Sequence, residues 1–589
     1  MDASAGLLAG ELANHFQHTV ILTALVAAFV LWRYRAAILR GMGESVAEVP
    51  LPTDVATVAR AASGSGKSPA ARAATGSAAI AGMPNRPSVG LPDDEALCRA
   101  SLRAGEQRSR RRLAVAYLVA AGTCSLLLAA VYTWLLRQSL SPTYVFALTC
   151  IYLLCVLPMI GASLAWPLWR GLAYGVGLLA AGAAASLVVG IIERAFYGRP
   201  PGLAQLGLVR LFVEMAWTQL WLPALLLLLT GSARLRGVAP ITFAGLFVFG
   251  LAPFAGSRLT QSLAATEAGT PWALRLGLDG LFVLIALPVG WLAWRRLRAV
   301  AREHAAKRFS DAQLLARTWW LMLVACLALD VLSIGARPVD VLLGCGGAAL
   351  AFSTALALAL RAVHIERERP PPRRLLLLRV FGFTARTERL FDRVAARWRL
   401  LGPVAVIAAP DVAARTIEPG DFLRYLTGRL TETFVRSRAD LDARLAAMDG
   451  TPDPDGRFRI NAFCCAAGSW RASIIELIAR ADAILFDVRG FGPHHRGCEF
   501  ELRALAARVP LSKVVLIVDG KTDQPLLAQT LGSGHADVRR AVVERAHERE
   551  TGAIFQQLVD AACSSAPTCS DSRLATTEGP DLIRGAAPA

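Results

Sequence analysis

The chain has 589 residues, of which 54% are hydrophobic and only 18% are charged, and its formal net charge is +18. A soluble domain carries about 25% charged residues, so this composition argues against a wholly soluble protein. The positive charge does not indicate nucleic acid, because the basic residues are not interleaved with aromatic residues on one soluble surface. They flank long apolar runs instead, which is typical of segments beside a membrane.

The first predicted element, within residues 1–40, is a membrane anchor. Its apolar run, Phe16–Trp32, is followed by three arginines, whereas the residues before it include Asp2 and Glu11 but no Lys or Arg. A cleaved signal peptide would begin with positive charge and end at a small-residue cleavage site. We therefore predict an uncleaved anchor with its N-terminus outside.

Residues 41–112 are rich in Ala, Ser, Gly and Pro and show no sustained periodicity, which predicts a flexible cytoplasmic linker. Within it, Gly64–Ser68 matches the second half of a phosphate-binding loop. Ala61 stands where the first glycine of that motif belongs, and Pro69 follows in place of a helix pattern. This segment is therefore not expected to bind a nucleotide.

Eight further apolar runs within residues 113–362 reach the length of about 20 residues that a bilayer requires. They are Leu113–Leu136, Tyr144–Ala165, Gly171–Ile192, Val209–Gly231, Val238–Gly256, Leu274–Trp294, Leu314–Ile334 and Val339–Leu360. With the anchor, they predict an α-helical membrane bundle of about nine spans. The arginine-rich connections fall on one side, which the positive-inside rule assigns to the cytoplasm. We expect a multi-pass protein of the bacterial inner membrane with its C-terminal domain in the cytoplasm.

From Leu375 to Ala562 the pattern changes to short apolar runs that alternate with helical patterns. The predicted strands are Leu375–Phe381, Val404–Ala408, Ile460–Cys464, Ala483–Val488 and Val514–Val518. The predicted helices are Thr387–Trp398, Phe422–Met448, Trp470–Arg480 and Gly497–Arg508. This alternation predicts a mostly parallel sheet with helices on both faces. Residues 563–589 are rich in Ser, Thr, Gly and Ala and are predicted to form a disordered tail.

One strand, loop and helix start is the best candidate for chemistry. The strand Ala483–Val488 ends in a Gly/Pro loop, and a helix pattern opens near Cys498 with Glu501 in its first turn. Ligands of open α/β sheets bind beyond the carboxyl ends of the strands, so Glu501 is expected at the mouth of a site. The structural alternative is that the helix macrodipole alone favours an acid there.

The stretch Gly497–Leu502 resembles the helix start of a Toll/interleukin receptor (TIR) domain, whose pattern is W-C-x-x-E-L. Cys498, Glu501 and Leu502 match this pattern, and Gly497 replaces the tryptophan. The wider segment, residues 375–562, is similar to the C-terminal cytoplasmic TIR-like domain of a group of bacterial multi-span membrane proteins. The resemblance implies a flavodoxin- or TIR-like sheet and a pocket that faces a nucleotide.

What the resemblance implies for the site is a division of roles. Glu501 would hold or activate a ribose, since a carboxylate stabilises the positive charge that develops when an N-glycosidic bond breaks. Arg489 would pair with a phosphate, Gly490 would allow close approach of the backbone, and Phe491 would stack on a base; Cys498 belongs to the same binding set. The structural alternative is that Arg489 pairs with a neighbouring carboxylate. We expect no metal and no resident cofactor, with NAD or another nucleotide as substrate or ligand.

The sequence thus predicts a membrane-tethered signalling or sensing protein whose TIR-like domain binds a nucleotide or a protein partner. The first alternative is an enzyme, an N-glycosidase that hydrolyses NAD or a related nucleotide with Glu501. The second is a transporter with a regulatory domain. The expected partners are the lipid bilayer, a nucleotide, and a second copy of the chain through its membrane part or its TIR-like domain, but not nucleic acid.

Overall fold

The computed structural model describes residues 27–42, 92–136, 271–333, 337–363, 369–379, 385–408, 419–466, 468–543 and 548–564, with residues 25, 173, 177 and 180. The apolar runs predicted between Tyr144 and Gly256 lie outside these residues, apart from the three isolated positions. Most of the predicted linker and nearly all of the predicted C-terminal tail also lie outside them.

Long helices form the described chain before the α/β domain. They are α1 over residues 27–42, α2 Pro92–Leu136, α3 Pro271–Ala305, α4 Asp311–Ser333 and α5 Pro338–Ala362. Helix α2 begins inside the predicted linker, so the boundary at residue 112 was placed too late. The charged and apolar residues of 92–112 form helical turns because they pack on the α/β domain, which local composition does not reveal.

The prediction of about nine membrane spans is wrong. In the part of the chain that the structure describes, two helical segments are long and apolar enough to cross a membrane, Asp94–Leu136 and Val339–Ala362. The sequence predicted too many spans because apolar composition does not distinguish a helix that faces lipid from one that buries its apolar side chains against neighbouring helices. Trp320 of α4 is an example, since its ring stacks on Phe352 of α5 at 5.3 Å between centroids.

Helices α2 and α5 run antiparallel. Glycines allow the close approach at both ends of the pair. A Cβ added to Gly344 would lie 2.7 Å from the side chain of Val131, and a Cβ added to Gly105 would lie 2.9 Å from Pro370, which follows α5. Only 44% of the apolar window in α2 and 28% of that in α5 is buried inside the protein. Both helices therefore keep extensive apolar surface exposed along their shared length.

The C-terminal region is an α/β domain built on a parallel sheet of seven strands. The strands are β1 Leu375–Arg379, β2 Val404–Ala408, β3 Phe434–Val435, β4 Ile460–Cys465, β5 Ala483–Asp487, β6 Val514–Val518 and β7 Arg539–Val542. The helices are α6 Ala385–Trp398, α7 Pro419–Leu426, α8 Arg438–Ala446, α9 Trp470–Arg480, α10 Arg496–Arg508, α11 Gln524–Leu531 and α12 Glu548–Cys563. The predicted parallel α/β sheet is confirmed.

The strand order is β3-β4-β2-β1-β5-β6-β7. The chain leaves β1 toward β2 on one side, and leaves β5 toward β6 on the other, so the connections diverge between β1 and β5. Apart from β3 and β4, the order matches the flavodoxin-like arrangement, in which ligands bind where the connections diverge. This topology marks the carboxyl ends of β1 and β5 as the expected ligand position.

Alternate residues of each strand supply two cores. Leu376, Leu378 and Phe486 face one side of the sheet, where α9 and α10 pack, whereas Leu377 and Leu485 face the other side, with α6 and α12. Side chains of consecutive strand residues point to opposite faces, so the continuous apolar runs in the sequence reflect a sheet covered on both faces.

The predicted long helix Phe422–Met448 is not continuous. Helix α7 stops at Leu426, and Gly428 then adopts φ +75°, a left-handed conformation that glycine tolerates. Strand β3 follows, and Ser437 caps α8 with a reciprocal hydrogen-bond pair to Asp440. The apolar residues of α7 and α8 have spacings that fit a single helical repeat, so the sequence pattern predicted one long helix.

The first turns of α2 attach to the last helix of the domain. Leu102 is buried in the core that α12 covers, and Arg103 Nη2 lies 3.0 Å from Asp560 Oδ1. Cys98 and Cys563 form a disulfide with their Cα atoms 5.8 Å apart. No spacing rule could reveal this pair, because 465 residues separate its members.

The connection between α3 and α4 docks on the amino ends of β2 and β4. His304 Nε2 lies 2.9 Å from Asp311 Oδ1, and Arg399, which precedes β2, lies 3.5 Å from Asp311 Oδ2. Arg459, which precedes β4, donates to Asp453 Oδ1 at 2.9 Å and to the His304 carbonyl at 2.7 Å. We call these five residues the clamp. The clamp joins the helices to the amino edge of the sheet.

Candidate functional site

The candidate site lies at the carboxyl ends of β1 and β5. Arg379 is the last residue of β1 and pairs in register with Asp487, the last residue of β5. Both strands are apolar until this final position, so the sheet itself delivers a cation and a carboxylate to the point where its connections diverge. Asp487 is 4% exposed.

The loop after β5 is fixed by its own charges. Arg489 makes a bidentate contact with Asp487, with Nε 2.8 Å from Oδ1 and Nη2 2.7 Å from Oδ2. Two parallel N–H···O bonds hold a guanidinium in one orientation. This is the pairing that the structural alternative for Arg489 anticipated, and it leaves the phosphate role as a prediction that requires rearrangement of the pair.

The loop after β6 holds the loop after β5 in place. Gly490 has φ +69°, and its N–H donates to Asp519 Oδ1 at 2.9 Å. Thr522 Oγ1 donates to the same oxygen at 2.9 Å. Burial disfavours the charged form of Asp519, but these hydrogen bonds and the nearby Arg489 hold the pKa of its carboxyl below the ordinary value. Gly490 therefore provides a turn conformation and a hydrogen bond to Asp519.

Two of the predicted binding residues lie in the core. Phe491 is 1% exposed and packs with Val488 in the apolar cluster beneath the loop, and Cys498 is fully buried in the same cluster. A ring enclosed in this way presents no open face for a base in the described conformation. Sequence could not distinguish the two cases, because an aromatic residue after a strand suits both a core and a ligand.

Glu501 is a buried acid with one unpaired carboxyl oxygen. It is 5% exposed, and its Oε2 has no hydrogen-bond partner. Burial raises the pKa of the Glu501 carboxyl to about 8, an effect that the positive charge of Arg379 partly opposes. A carboxyl with this pKa holds its proton at neutral pH, so it can donate a hydrogen bond, and it ionises when a cationic or hydrogen-bonding ligand arrives.

The helix macrodipole does not explain Glu501. Helix α10 begins at Arg496, so Glu501 is its sixth residue and lies beyond the first turn, where Glu499 stands instead. The favourable effect of the dipole fades within that first turn. The expectation that Glu501 lies in the first turn was therefore wrong, and the structural alternative based on it loses its basis.

Sequence reasoning did not single out Arg379 or Asp519 for the site. Each stands at or directly after the end of an apolar strand, at Leu375–Arg379 and Val514–Val518. A charged residue that ends a buried apolar run was the available signal. In the described ranges there is no group of three or more His, Cys, Asp or Glu side chains that could hold a metal ion.

Comparisons of the chain with protein-family models, with curated proteins and with solved structures find no match. The TIR resemblance therefore remains a prediction that depends on Cys498, Glu501 and Leu502.

Proposed function

We propose that the chain is a membrane-tethered sensing protein whose α/β domain binds a nucleotide at the carboxyl ends of β1 and β5. The observation that carries this proposal is the buried Glu501, whose Oε2 lacks a partner beside Arg379. The chemistry of the ligand follows from these two residues together with the paired Asp487 and Arg489.

A buried carboxyl without a partner destabilises the fold, because desolvation of a polar group that makes no hydrogen bond costs about 1–3 kcal/mol. Such groups are rare in folded proteins, and strongly perturbed acids are concentrated in functional sites. The hydroxyl groups of a ribose both donate and accept hydrogen bonds, so they suit a carboxyl that changes its protonation state. The positive charge of Arg379 favours a phosphate nearby, and Arg489 can add to it when its pair with Asp487 opens.

The connection between domain and helices supports sensing. Strand β1 carries Arg379 at its carboxyl end, and it is the first strand after α5 in the chain. The clamp attaches the α3–α4 connection to the same amino edge. A change at the carboxyl edge can therefore reach the helices through the sheet and the clamp.

One observation favours the enzymatic alternative, hydrolysis of an N-glycosidic bond in NAD or a related nucleotide. The pKa of Glu501, about 8, lies close to neutral pH, and general acid–base catalysis is most effective when the pKa of the group is close to the working pH. Glu501 would then stabilise positive charge on the ribose after it loses its proton. Turnover of NAD separates this alternative from binding alone.

The test uses the full chain in detergent micelles and isothermal titration with NAD and with adenine nucleotides. Glu501→Leu keeps the volume of the side chain but removes every hydrogen bond, and we expect nucleotide affinity to fall at least tenfold. Glu499→Leu is the matched control, because Glu499 is on the same helix and pairs with Arg503. Equal binding by wild type and Glu501→Leu would contradict the proposal.

A further inference from the structure

We propose that exposed arginines on four helices form a collar that binds the phosphates of anionic phospholipid headgroups. The collar consists of Arg33, Arg110, Arg111, Arg295, Arg298 and Arg361, all of which are exposed. The inference rests on the proposed membrane tethering, but it adds a lipid class and a defined surface. Among the residues that the structure describes, no salt bridge joins any of these arginines to an acidic side chain.

The collar lies where each helix changes from apolar to domain-contacting residues. In α2, Arg110 and Arg111 stand just before the apolar stretch that starts at Leu113, and only a turn beyond Glu106, which binds Arg397 of the domain. In α5, Arg361 ends the apolar segment Val339–Ala362. Because α2 and α5 are antiparallel, these arginines are at the same height above the domain.

Helices α1 and α3 reach the same height. They pack together in one cluster through Leu31 and Tyr34 of α1 and Leu297 and Ala301 of α3. Arg298 lies six residues before His304 of the clamp, about 9 Å at a rise of about 1.5 Å per residue. Tyr34, which follows Arg33, contacts Phe422 of the domain with 5.9 Å between ring centroids. The arginines of all four helices therefore lie close to the point where each helix meets the α/β domain.

Tryptophans lie on the apolar side of the collar. Trp32 is 59% exposed and Trp291 is 62% exposed. The guanidinium of Arg295 lies 5.4 Å from the centroid of the Trp291 ring, and Arg298 lies 5.4 Å from that of Trp294. Tryptophan prefers the depth of the headgroups, and arginine binds phosphate through a planar fork of donors. The combination fits a leaflet that carries anionic lipid, rather than an aqueous anion.

The experiment reconstitutes the full chain in nanodiscs with equal amounts of phosphatidylglycerol and phosphatidylcholine. The ratio of the two lipids that remain bound after limited detergent extraction is then measured by mass spectrometry. Each basic residue near a membrane surface contributes about 1 kcal/mol toward anionic lipid, which corresponds to about fivefold. We expect at least fivefold enrichment of phosphatidylglycerol on the wild-type protein, and an enrichment lowered by about fivefold or more on Arg295→Gln/Arg298→Gln.

The matched control is Arg429→Gln/Arg480→Gln, which removes two exposed arginines of the α/β domain. It should keep the enrichment of the wild type. Equal retention of both lipids by the wild type, or an enrichment in the collar variant as large as that of the wild type, overturns the collar. Competition by soluble glycerol phosphate, or co-purified nucleic acid or acidic protein in place of lipid, overturns it as well. A chain that retains no lipid of either kind contradicts membrane tethering itself, so the two failures are distinguishable.

Discussion

The two edges of the sheet differ in whether every buried acid described above has a partner. At the amino edge, Asp453 is 1% exposed and bound by Arg459, and the pKa of Asp311 stays below its ordinary value despite burial, because His304 and Arg399 face it. At the carboxyl edge, Glu501 is 5% exposed and its Oε2 has no partner. The amino edge holds the fold together, whereas the carboxyl edge maintains a destabilised group, which is the expected signature of a ligand site.

The largest expected effect is on the pH dependence of stability. The pKa of Glu501 rises from 4.5 to about 8 on folding, so the folded state binds the proton more tightly. The stability gained from this tighter proton binding is fully present below pH 4.5 and is lost as the pH rises toward 8. At about 1.4 kcal/mol per pH unit, the upper bound is about 5 kcal/mol.

This dependence is measured from urea unfolding of wild type and Glu501→Leu between pH 5 and 8. The wild type should lose stability relative to the variant as the pH rises, and Glu499→Leu should follow the wild type. The pH dependence that Asp311 of the clamp gives to stability runs in the opposite direction. Its pKa is lowered on folding, so the stability that its charged form contributes is lost as the pH falls below about 4. If the free energy of unfolding depends on pH in the same way in wild type and Glu501→Leu, the pKa of Glu501 is not raised on folding.

The second prediction concerns the clamp. Arg459→Met leaves Asp453 buried without its partner, and removal of one member of a buried pair costs about 3–5 kcal/mol. Arg459→Met/Asp453→Leu removes both charges and should recover most of this loss. Urea unfolding of the three proteins measures it. If the single variant is as stable as the wild type, the clamp does not join the helices to the domain as described.

The third prediction concerns the disulfide. Removal of a native disulfide costs about 2–5 kcal/mol in an oxidised protein, so Cys98→Ser should lower the thermal midpoint of the purified oxidised chain. Disulfides do not persist in the cytoplasm, where the arginine distribution of the sequence predicts that the domain lies. We therefore expect both thiols to be reduced in growing cells and to react with maleimide after rapid denaturation. Protection from maleimide in cells would place the domain in an oxidising compartment.

The fourth and smallest effect concerns the loop at the site. Gly490→Ala places a Cβ at φ +69°, and a left-handed conformation costs a non-glycine residue about 1–2 kcal/mol. The space around the position is open, since no atom lies within 4 Å of the added Cβ. We expect a lower thermal midpoint, whereas Gly492→Ala, which also meets open space, should change it less. An unchanged midpoint in Gly490→Ala would show that the loop adapts.

The α/β elements were predictable where local pattern and tertiary packing agree. Strands β2 and β6 and helix Trp470–Arg480 have the predicted bounds, because short apolar runs and a one-sided helix leave one way to bury the apolar residues. The short strands β3 and β7 were missed. They have two and four residues, too few for periodicity to identify, and they form only because a neighbouring strand provides hydrogen-bond partners.

The site was predictable in part. The position of Glu501 near the carboxyl edge follows from the strand and helix patterns, but its isolation does not, since the partners of a buried group depend on residues far away in sequence. Phe491 and Cys498 were assigned to the ligand, yet both lie in the core. The predicted number of membrane spans was wrong for the same reason. An apolar run shows that a segment avoids water, but not whether its side chains contact lipid or another helix.

The central claim is that Glu501 is kept buried and unpaired for a nucleotide. The most direct measurement is the thermal midpoint of wild type and Glu501→Leu, each with and without saturating NAD or adenine nucleotide. We predict that Glu501→Leu has the higher midpoint without ligand, because the unpaired carboxyl is gone, and that only the wild type is stabilised further by the nucleotide. A variant that is less stable than the wild type and still responds to the nucleotide would contradict this account.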